Sequence, residues 1–325
     1  MNTPTPVRFD FRALGKPCSL QLEGEDTRKL RRAAWLAITE IQRIELKYAA
    51  YQAHSVICRI NARAGAAAMA VDAETLALLA FVDGLWHQSN GLFDITCGVL
   101  RRAWDFQLAR VPHVDELQRL LRLIGWQRVE IHGGQVRLPQ PGMALDLGGV
   151  LKAYAADSAA ALLQGHGVQQ ALVQVGSCLH AVGPRRGPAQ AVHPWPVPIP
   201  HPRPLPDSAD GPLATWNLTQ DALAICGRRD AGFEHQGHHY GPLLNPRTGW
   251  PVQQVAQVTV AARRATAAWA TAAIARLQGD QALDWLDEQE TPYLLVDAAG
   301  TAHHSTRRRQ APAPFCSTAL KGTFL

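Results

Sequence analysis

One short segment of the sequence, DLGGVLK at 146–152, combines residue types that can hold a phosphate group. Adjacent glycines at a helix start let backbone N–H groups approach an anion closely, and the helix dipole favours negative charge there. Lys152 follows about one turn inside the helix and can add a positive charge. The alternative is that the two glycines only allow the helix to pack tightly against a sheet. Both interpretations stay open on these residues alone.

A second segment with chemical potential is GLFDITCG at 91–98, which leads to Trp104-Asp105-Phe106. Asp94 and Thr96 form a polar cluster beside a glycine and aromatic side chains, and such a cluster can surround a planar ring. The same residues are also typical of a turn with a capping aspartate and aromatic core residues.

The third segment is HHYGPLLNPRTGWP at 238–251. Its Asn-Pro-Arg-Thr-Gly run is a strong turn signal. His235, His238 and His239 suggest a transition metal, but the segment supplies no evident fourth ligand or carboxylate. We therefore interpret it as a turn rather than a metal site.

The composition is that of an ordinary globular protein, with 47% hydrophobic and 18% charged residues among 325. The net charge of +5 comes from scattered Lys and Arg, and the run at 307–309 has no interleaved aromatics, so we expect no nucleic-acid partner. The six cysteines form no CxxC pair, which favours reduced thiols. No apolar run reaches the ~18 residues of a membrane span, and no secretory signal is evident, so we expect a cytoplasmic protein.

The helices and strands predicted from the sequence indicate an α+β fold, with a mainly antiparallel sheet flanked by helices. These elements must position the three segments. We expect a single domain over 1–306, with 184–213 as a Pro- and Gly-rich surface connection, and a tail over 307–325. The predicted strands and hairpins lie at 17–24, 129–138, 171–183 (bending at Gly176), 255–262 and 292–305. The predicted helices run from the cap Asp26 to about Ala50, after Asp72, over 114–124, within 146–165 after a short entry loop, and in the Ala-rich stretch after residue 262.

Taken in order, five segments resemble motifs of the ApbE family of FAD:protein FMN transferases. The most specific is DLGGVLKAYAAD (146–157), which is similar to the family's Asp-Leu-Gly-Gly-x-x-Lys-Gly-x-x-x-Asp. The other four are YQAHSVICRIN (51–61), GLFDITCGVLRRAWDF (91–106), PWPVPIPHP (194–202) and NPRTGWPV (245–252). Five matches at compatible spacing make the resemblance specific.

This resemblance implies an enzyme that splits FAD and joins its FMN half, through a phosphoester, to a Ser or Thr hydroxyl of an acceptor flavoprotein, with release of AMP. It implies a catalytic role for Lys152 in neutralising the pyrophosphate, and Mg²⁺ near Gly149 and Thr271. The residues that it places against FAD are Leu14, Tyr51, Leu92, Phe93, Asp94, Asp146, Lys152 and Leu244.

The Ala-rich helix departs from the family pattern, which reads Ala-Asp-Ala-x-x-Thr and uses its Asp and Thr to bind Mg²⁺. Aligned on Thr271, the Asp position holds Ala267; aligned on Gly279, it holds Trp269, and the Thr position holds Ala273. Either alignment removes the carboxylate, which is a typical ligand of Mg²⁺.

Two further departures affect polar groups. Where the family has a histidine before its Asp-Pro-Arg-Thr-Gly, this chain has Pro242, and Asn245 replaces the Asp of that motif. Where the family reads Asn-x-Gly-Gly-Asp, this chain reads QVGSC at 174–178. The alternative function is therefore a non-catalytic FAD-binding accessory homologue.

Overall fold

A computed structural model describes residues 7–186, 191–202, 211–227 and 232–305. The arginine run at 307–309 and the tail predicted over 307–325 lie outside these ranges. No helix in the described ranges is both long and apolar enough to cross a lipid bilayer.

The first long helix, α1 (Thr27–Tyr48), follows directly from the sequence pattern. The Asp26 side chain accepts a hydrogen bond from the Lys29 backbone N–H at 2.9 Å and so caps the helix. The buried residues recur at helical spacing along one face: Leu30, Ala33, Ala34, Ala37, Ile41, Ile44 and Tyr48. The other helices are α2 (Val56–Ala62), α3 (Ala73–Gln88), α4 (Val114–Leu121), α5 (Gly149–Gly165), α6 (Ala265–Leu277) and α7 (Ala282–Glu288).

The main sheet of the described residues is antiparallel throughout and has eight strands in the order β1-β2-β6-β7-β12-β15-β16-β17. Its strands are β1 (Val7–Ala13), β2 (Lys16–Glu23), β6 (Gln170–Val175), β7 (Cys178–Val182), β12 (Ala222–Gly227), β15 (Val255–Ala262), β16 (Tyr293–Asp297) and β17 (Ala302–His304). The shorter strands are β3 (Met69–Ala70), β4 (Glu130–His132), β5 (Gln135–Arg137), β8 (Arg185–Arg186), β9 (Val192–His193), β10 (Trp195–Ile199), β11 (Ala214–Leu218), β13 (Phe233–His235) and β14 (His238–Tyr240). The predicted α+β class with a mainly antiparallel sheet is confirmed.

The interpretation of 171–183 as one bent strand was wrong in its connectivity. The segment is a hairpin in which Val175 pairs with Cys178 across the turn formed by Gly176 and Ser177. Gly176 has a φ of +58°, which reverses the chain direction instead of bending the strand.

The two faces of the sheet are covered differently. Helices α1, α5 and α6 pack on one face and form the main core. On the other face, β10 and β11 form a separate antiparallel pair, and Trp195, Val197 and Ile199 from the proline-rich stretch are buried there. Pro196 and Pro198 alternate with them and are exposed.

Helices α5 and α6 run antiparallel, and a mostly buried carboxylate joins them. Asp157, eight residues after the start of α5, accepts hydrogen bonds from the backbone N–H groups of Ala265 (2.7 Å) and Thr266 (3.0 Å), the first residues of α6. It also accepts bonds from the Thr266 hydroxyl at 2.8 Å and from His180 Nδ1 at 2.7 Å. Asp157 therefore caps α6 from a neighbouring helix, because α6 has no capping side chain of its own.

Candidate active site

The start of α5 is held in place by the residues just before it. The Asp146 carboxylate accepts a bond from the Gly148 N–H at 2.8 Å, and the Asp146 N–H donates to the Ile95 carbonyl at 2.9 Å. Gly148 has a φ of +45°, a backbone conformation that suits glycine. These bonds place the segment around Ile95 directly against the first turn of α5.

Asn61 fixes the same region from the side of α2. Its side-chain amide donates to the Leu145 carbonyl at 2.9 Å and accepts from the Leu145 N–H at 2.7 Å. This pair of bonds gives the last residue of the YQAHSVICRIN motif a structural role, which the sequence did not specify.

Lys152 lies in the first turn of α5, beside the β6–β7 turn. Its Cδ would lie 3.4 Å from a Cβ atom added to Gly176, and Lys16 would lie 3.2 Å from that atom. The Gly176 N–H also donates to the Pro17 carbonyl at 3.1 Å, so the β1–β2 turn containing Leu14 lies alongside. No described residue forms a hydrogen bond or ion pair with the Lys152 ammonium group. The structure thus brings Leu14, Asp146, Gly149 and Lys152 into one region.

Asp94 lies next to this region, and both of its carboxylate oxygens accept hydrogen bonds from the protein. Its Oδ1 accepts bonds from the backbone N–H and the hydroxyl of Thr96, at 2.8 and 2.5 Å. Its Oδ2 accepts the Trp126 N–H at 2.9 Å. Asp94 is buried and joins the 3₁₀ helix Ile95–Arg102 to the short helix Trp126–Arg128. Its contact with FAD stays a prediction.

Arg101 is a basic residue near the site that the sequence did not single out. Its Nε donates to Asp146 at 3.3 Å, and its guanidinium lies 5.4 Å from the centre of the Phe106 ring. Cys97 is close by, and burial, together with the charges of Asp146 and Asp94, raises its pKa to about 12. The Cys97 thiol therefore stays protonated at neutral pH and is a poor nucleophile.

The Asn-Pro-Arg-Thr-Gly turn is attached to the second predicted segment by two contacts. The Trp104 indole N–H donates to the Gly249 carbonyl at 2.8 Å, and the Arg247 guanidinium donates to the Asn90 carbonyl at 2.7 Å. Leu244 is buried in the small core around Trp104, where it belongs to the packing of this turn.

The two remaining residues predicted to contact FAD are Tyr51 and Leu92. Tyr51 is 64% exposed, and its hydroxyl donates to Glu45. Partial desolvation, together with the hydrogen bond to Glu45 and its charge, raises the Tyr51 pKa. Leu92 packs on the main core as a half-buried residue. Their predicted contacts with FAD stay predictions.

The position that the resemblance gives to Mg²⁺ is filled by an aromatic side chain. A Cβ atom on Gly149 would lie within 2.5 Å of Cε2 and Nε1 of Trp269. The Trp269 ring also makes an edge-to-face contact with Phe93, at 5.7 Å between centroids. Thr271 lies two residues further along α6, about 200° around the helix from Trp269, so it cannot face Gly149 as Trp269 does.

The residues at this position do not fit Mg²⁺. Mg²⁺ takes oxygen ligands in octahedral geometry, whereas the indole ring offers carbon atoms and one N–H donor. Within the described ranges, no group of three or more His, Cys, Asp or Glu side chains could hold a metal ion. We therefore assign no step of the chemistry to Mg²⁺.

Comparison with known proteins identifies the family. The model of the ApbE family matches residues 14–295. A FAD:protein FMN transferase of Treponema pallidum is 29% identical over 72% of this chain and 68% of its own length. A second, from Klebsiella pneumoniae, is 26% identical over 76% of this chain and 74% of its own length.

Solved structures agree with this fold. An ApbE protein from Thermotoga maritima superposes with a TM-score of 0.84 at 24% identity, covering 93% of this chain and 97% of that one. The flavin transferase ApbE from Vibrio cholerae gives a TM-score of 0.78 at 20% identity over 93% of this chain and 98% of that one. With the family model matching 282 residues (14 to 295), this chain belongs to the ApbE family.

Proposed function

We propose that the protein binds FAD and transfers its FMN half to a Ser or Thr hydroxyl of an acceptor flavoprotein. The acceptor oxygen forms a bond to the phosphorus of the FMN half, and the pyrophosphate bond to AMP breaks. AMP leaves with the bridging oxygen, and the hydroxyl proton is released.

The observation that carries this proposal is the position of Lys152. Its ammonium group is uncommitted among the described residues and lies in the first turn of α5, beside the β6–β7 turn. A cation and a helix N-terminus together favour an anionic group. The FAD pyrophosphate is such a group, and membership of the ApbE family supports FAD as the ligand.

The neighbouring residues support this arrangement in separate ways. Asp146 orients the glycine turn that exposes the helix start, and Arg101 adds a second cation next to Asp146. In phosphoryl transfer most of the catalysis comes from positioning and from stabilising negative charge on the phosphate oxygens. Lys152 and Arg101 supply positive charge for that purpose.

The test of this function is incubation of the purified protein with FAD and a bacterial lysate that supplies acceptors. The expected result is release of AMP together with a flavin-fluorescent band that survives denaturing electrophoresis. If FAD is retained but neither AMP nor a labelled band forms, the protein is the non-catalytic FAD-binding homologue instead.

Lys152→Ala is expected to weaken FAD binding about tenfold, because a charge-assisted contact to phosphate contributes ~1.5 kcal/mol or more. The loss should shrink at high salt, since salt screens the wild-type attraction. Equilibrium dialysis of FAD measures both effects.

The matched control is Lys29→Ala. Lys29 is exposed and lies near Gly167, just beyond the opposite end of α5. Lys152 lies 13 residues before the end of α5 at Gly165, about 20 Å along the helix axis, so the Lys29 variant should bind FAD as the wild type does. If Lys152→Ala bound FAD as tightly as the wild type, Lys152 would not contact FAD.

A further inference from the structure

We propose that this protein binds FAD without a divalent cation, and that the indole N–H of Trp269 donates a hydrogen bond to a pyrophosphate oxygen at the start of α5. The inference rests on the proposed function, because it assumes that FAD is the ligand. It goes beyond that function by assigning Trp269 as a positioning residue and by removing the metal requirement.

The first observation is that Trp269 is buried at a helix start with its polar atom unused. The residue is 7% exposed, and its Nε1 has no hydrogen-bond partner among the residues that the structure describes. Nε1 is not among the fully buried side-chain atoms that lack a partner in the described residues, so it stays within reach of water or of a ligand. A ligand acceptor at this place can therefore take its hydrogen bond.

The second observation is where that atom lies. A Cβ on Gly149 would meet Cζ2 of the Trp269 ring at 2.3 Å and Cε2 and Nε1 at 2.5 Å, so the edge of the ring that carries Nε1 lies against the first residue of α5. The backbone N–H groups of that turn and the Trp269 N–H therefore belong to the same small region. An anion bound at the helix start can accept from both.

The third observation concerns space. The absence of a side chain on Gly149 is what lets the ring approach, and the ring also makes an edge-to-face contact with Phe93. A hydrated Mg²⁺ ion needs several oxygen ligands around it. The indole ring occupies the volume next to Gly149 and provides none.

The charge balance of such a site differs from that of a metal site. Trp269 contributes a neutral donor, so the pyrophosphate charge has to be balanced by Lys152 and Arg101 and by the dipole of α5. Lys152 lies in the first turn of α5, and Arg101 lies on the 3₁₀ helix Ile95–Arg102, where it donates to Asp146 just before that turn.

The test measures FAD binding to the wild-type protein by equilibrium dialysis, once in EDTA and once in excess MgCl₂. We expect the dissociation constant to change by less than about twofold, since no differential metal binding is available to shift it. Binding that requires Mg²⁺ would overturn this inference and leave the proposed function intact. No FAD binding in either buffer would overturn the proposed function and the inference with it.

The role of the indole N–H is tested with Trp269→Phe, which keeps a ring beside Gly149 but removes the donor. FAD binding in EDTA should weaken about tenfold, the size expected for a hydrogen bond to a charged group. The control is Trp35→Phe, because Trp35 is 64% exposed on α1. Unchanged FAD binding by a folded Trp269→Phe protein would exclude the donor role, and the EDTA comparison on wild-type protein remains decisive if that variant does not fold.

Discussion

Replacing Asp157 with alanine is expected to lower the free energy of unfolding by about 3–5 kcal/mol, the range for removing one partner of a buried, hydrogen-bonded charge. The Asp157 carboxylate accepts bonds from Ala265, Thr266 and His180, and its side chain is 11% exposed. Its removal leaves the first N–H groups of α6 without acceptors. Urea unfolding of the wild type and the variant at neutral pH measures the difference.

The same interaction predicts a dependence on pH. Burial opposes ionisation of Asp157, but the hydrogen bonds from His180, Thr266 and Ala265 outweigh it and lower its pKa below the ordinary 3.8. A carboxyl group with a lowered folded-state pKa stabilises the protein above its unfolded-state pKa and loses that effect as the pH falls through the folded-state value. The difference in free energy of unfolding between wild type and variant should therefore be largest at neutral pH and should decrease below about pH 4.

The control for this experiment is Asp10→Ala, because Asp10 forms an exposed ion pair with Arg8. Exposed ion pairs contribute little to stability, so this variant should unfold like the wild type. If the Asp157 and Asp10 variants behaved alike, Asp157 would not be the cap of α6.

Gly149→Ala is expected to destabilise the protein by about 1–3 kcal/mol through overpacking, although alanine is normally favoured over glycine in a helix. The new methyl group would meet the Trp269 ring within 2.5 Å, and the contact with Phe93 limits how far the ring can move. Gly165→Ala at the other end of α5 is the matched control. No atom lies within 4 Å of a Cβ added there, so this variant should be neutral or slightly more stable.

A double-mutant cycle tests whether the two positions are coupled. Trp269→Ala alone should cost about 3–5 kcal/mol, as for other large buried aromatic residues. In the double variant the methyl group added by Gly149→Ala enters the space that the indole ring has vacated. The two losses should therefore not add, and the coupling energy should exceed about 0.5 kcal/mol. Strict additivity would show that Gly149 and Trp269 are not in contact.

The local elements of the fold were predictable because their signals lie within a few residues of each other. The cap Asp26 and the apolar face of α1 predict that helix from adjacent positions. The hairpin at Gly176 was not recognised, because a continuous run of apolar residues around a two-residue turn resembles one strand. Only strand pairing distinguishes the two.

By itself, the sequence determined the family and the segment most suited to hold phosphate, since the Gly-Gly helix start and Lys152 are encoded within seven residues. Only the tertiary structure decided which side chains contact that segment. Trp269 and Thr271 differ by about 200° around α6, so one of them at most can face Gly149, and the rotation of a helix about its axis is set by packing. Asp157 caps a helix that begins 108 residues later, a pairing that exists only once α5 and α6 lie side by side.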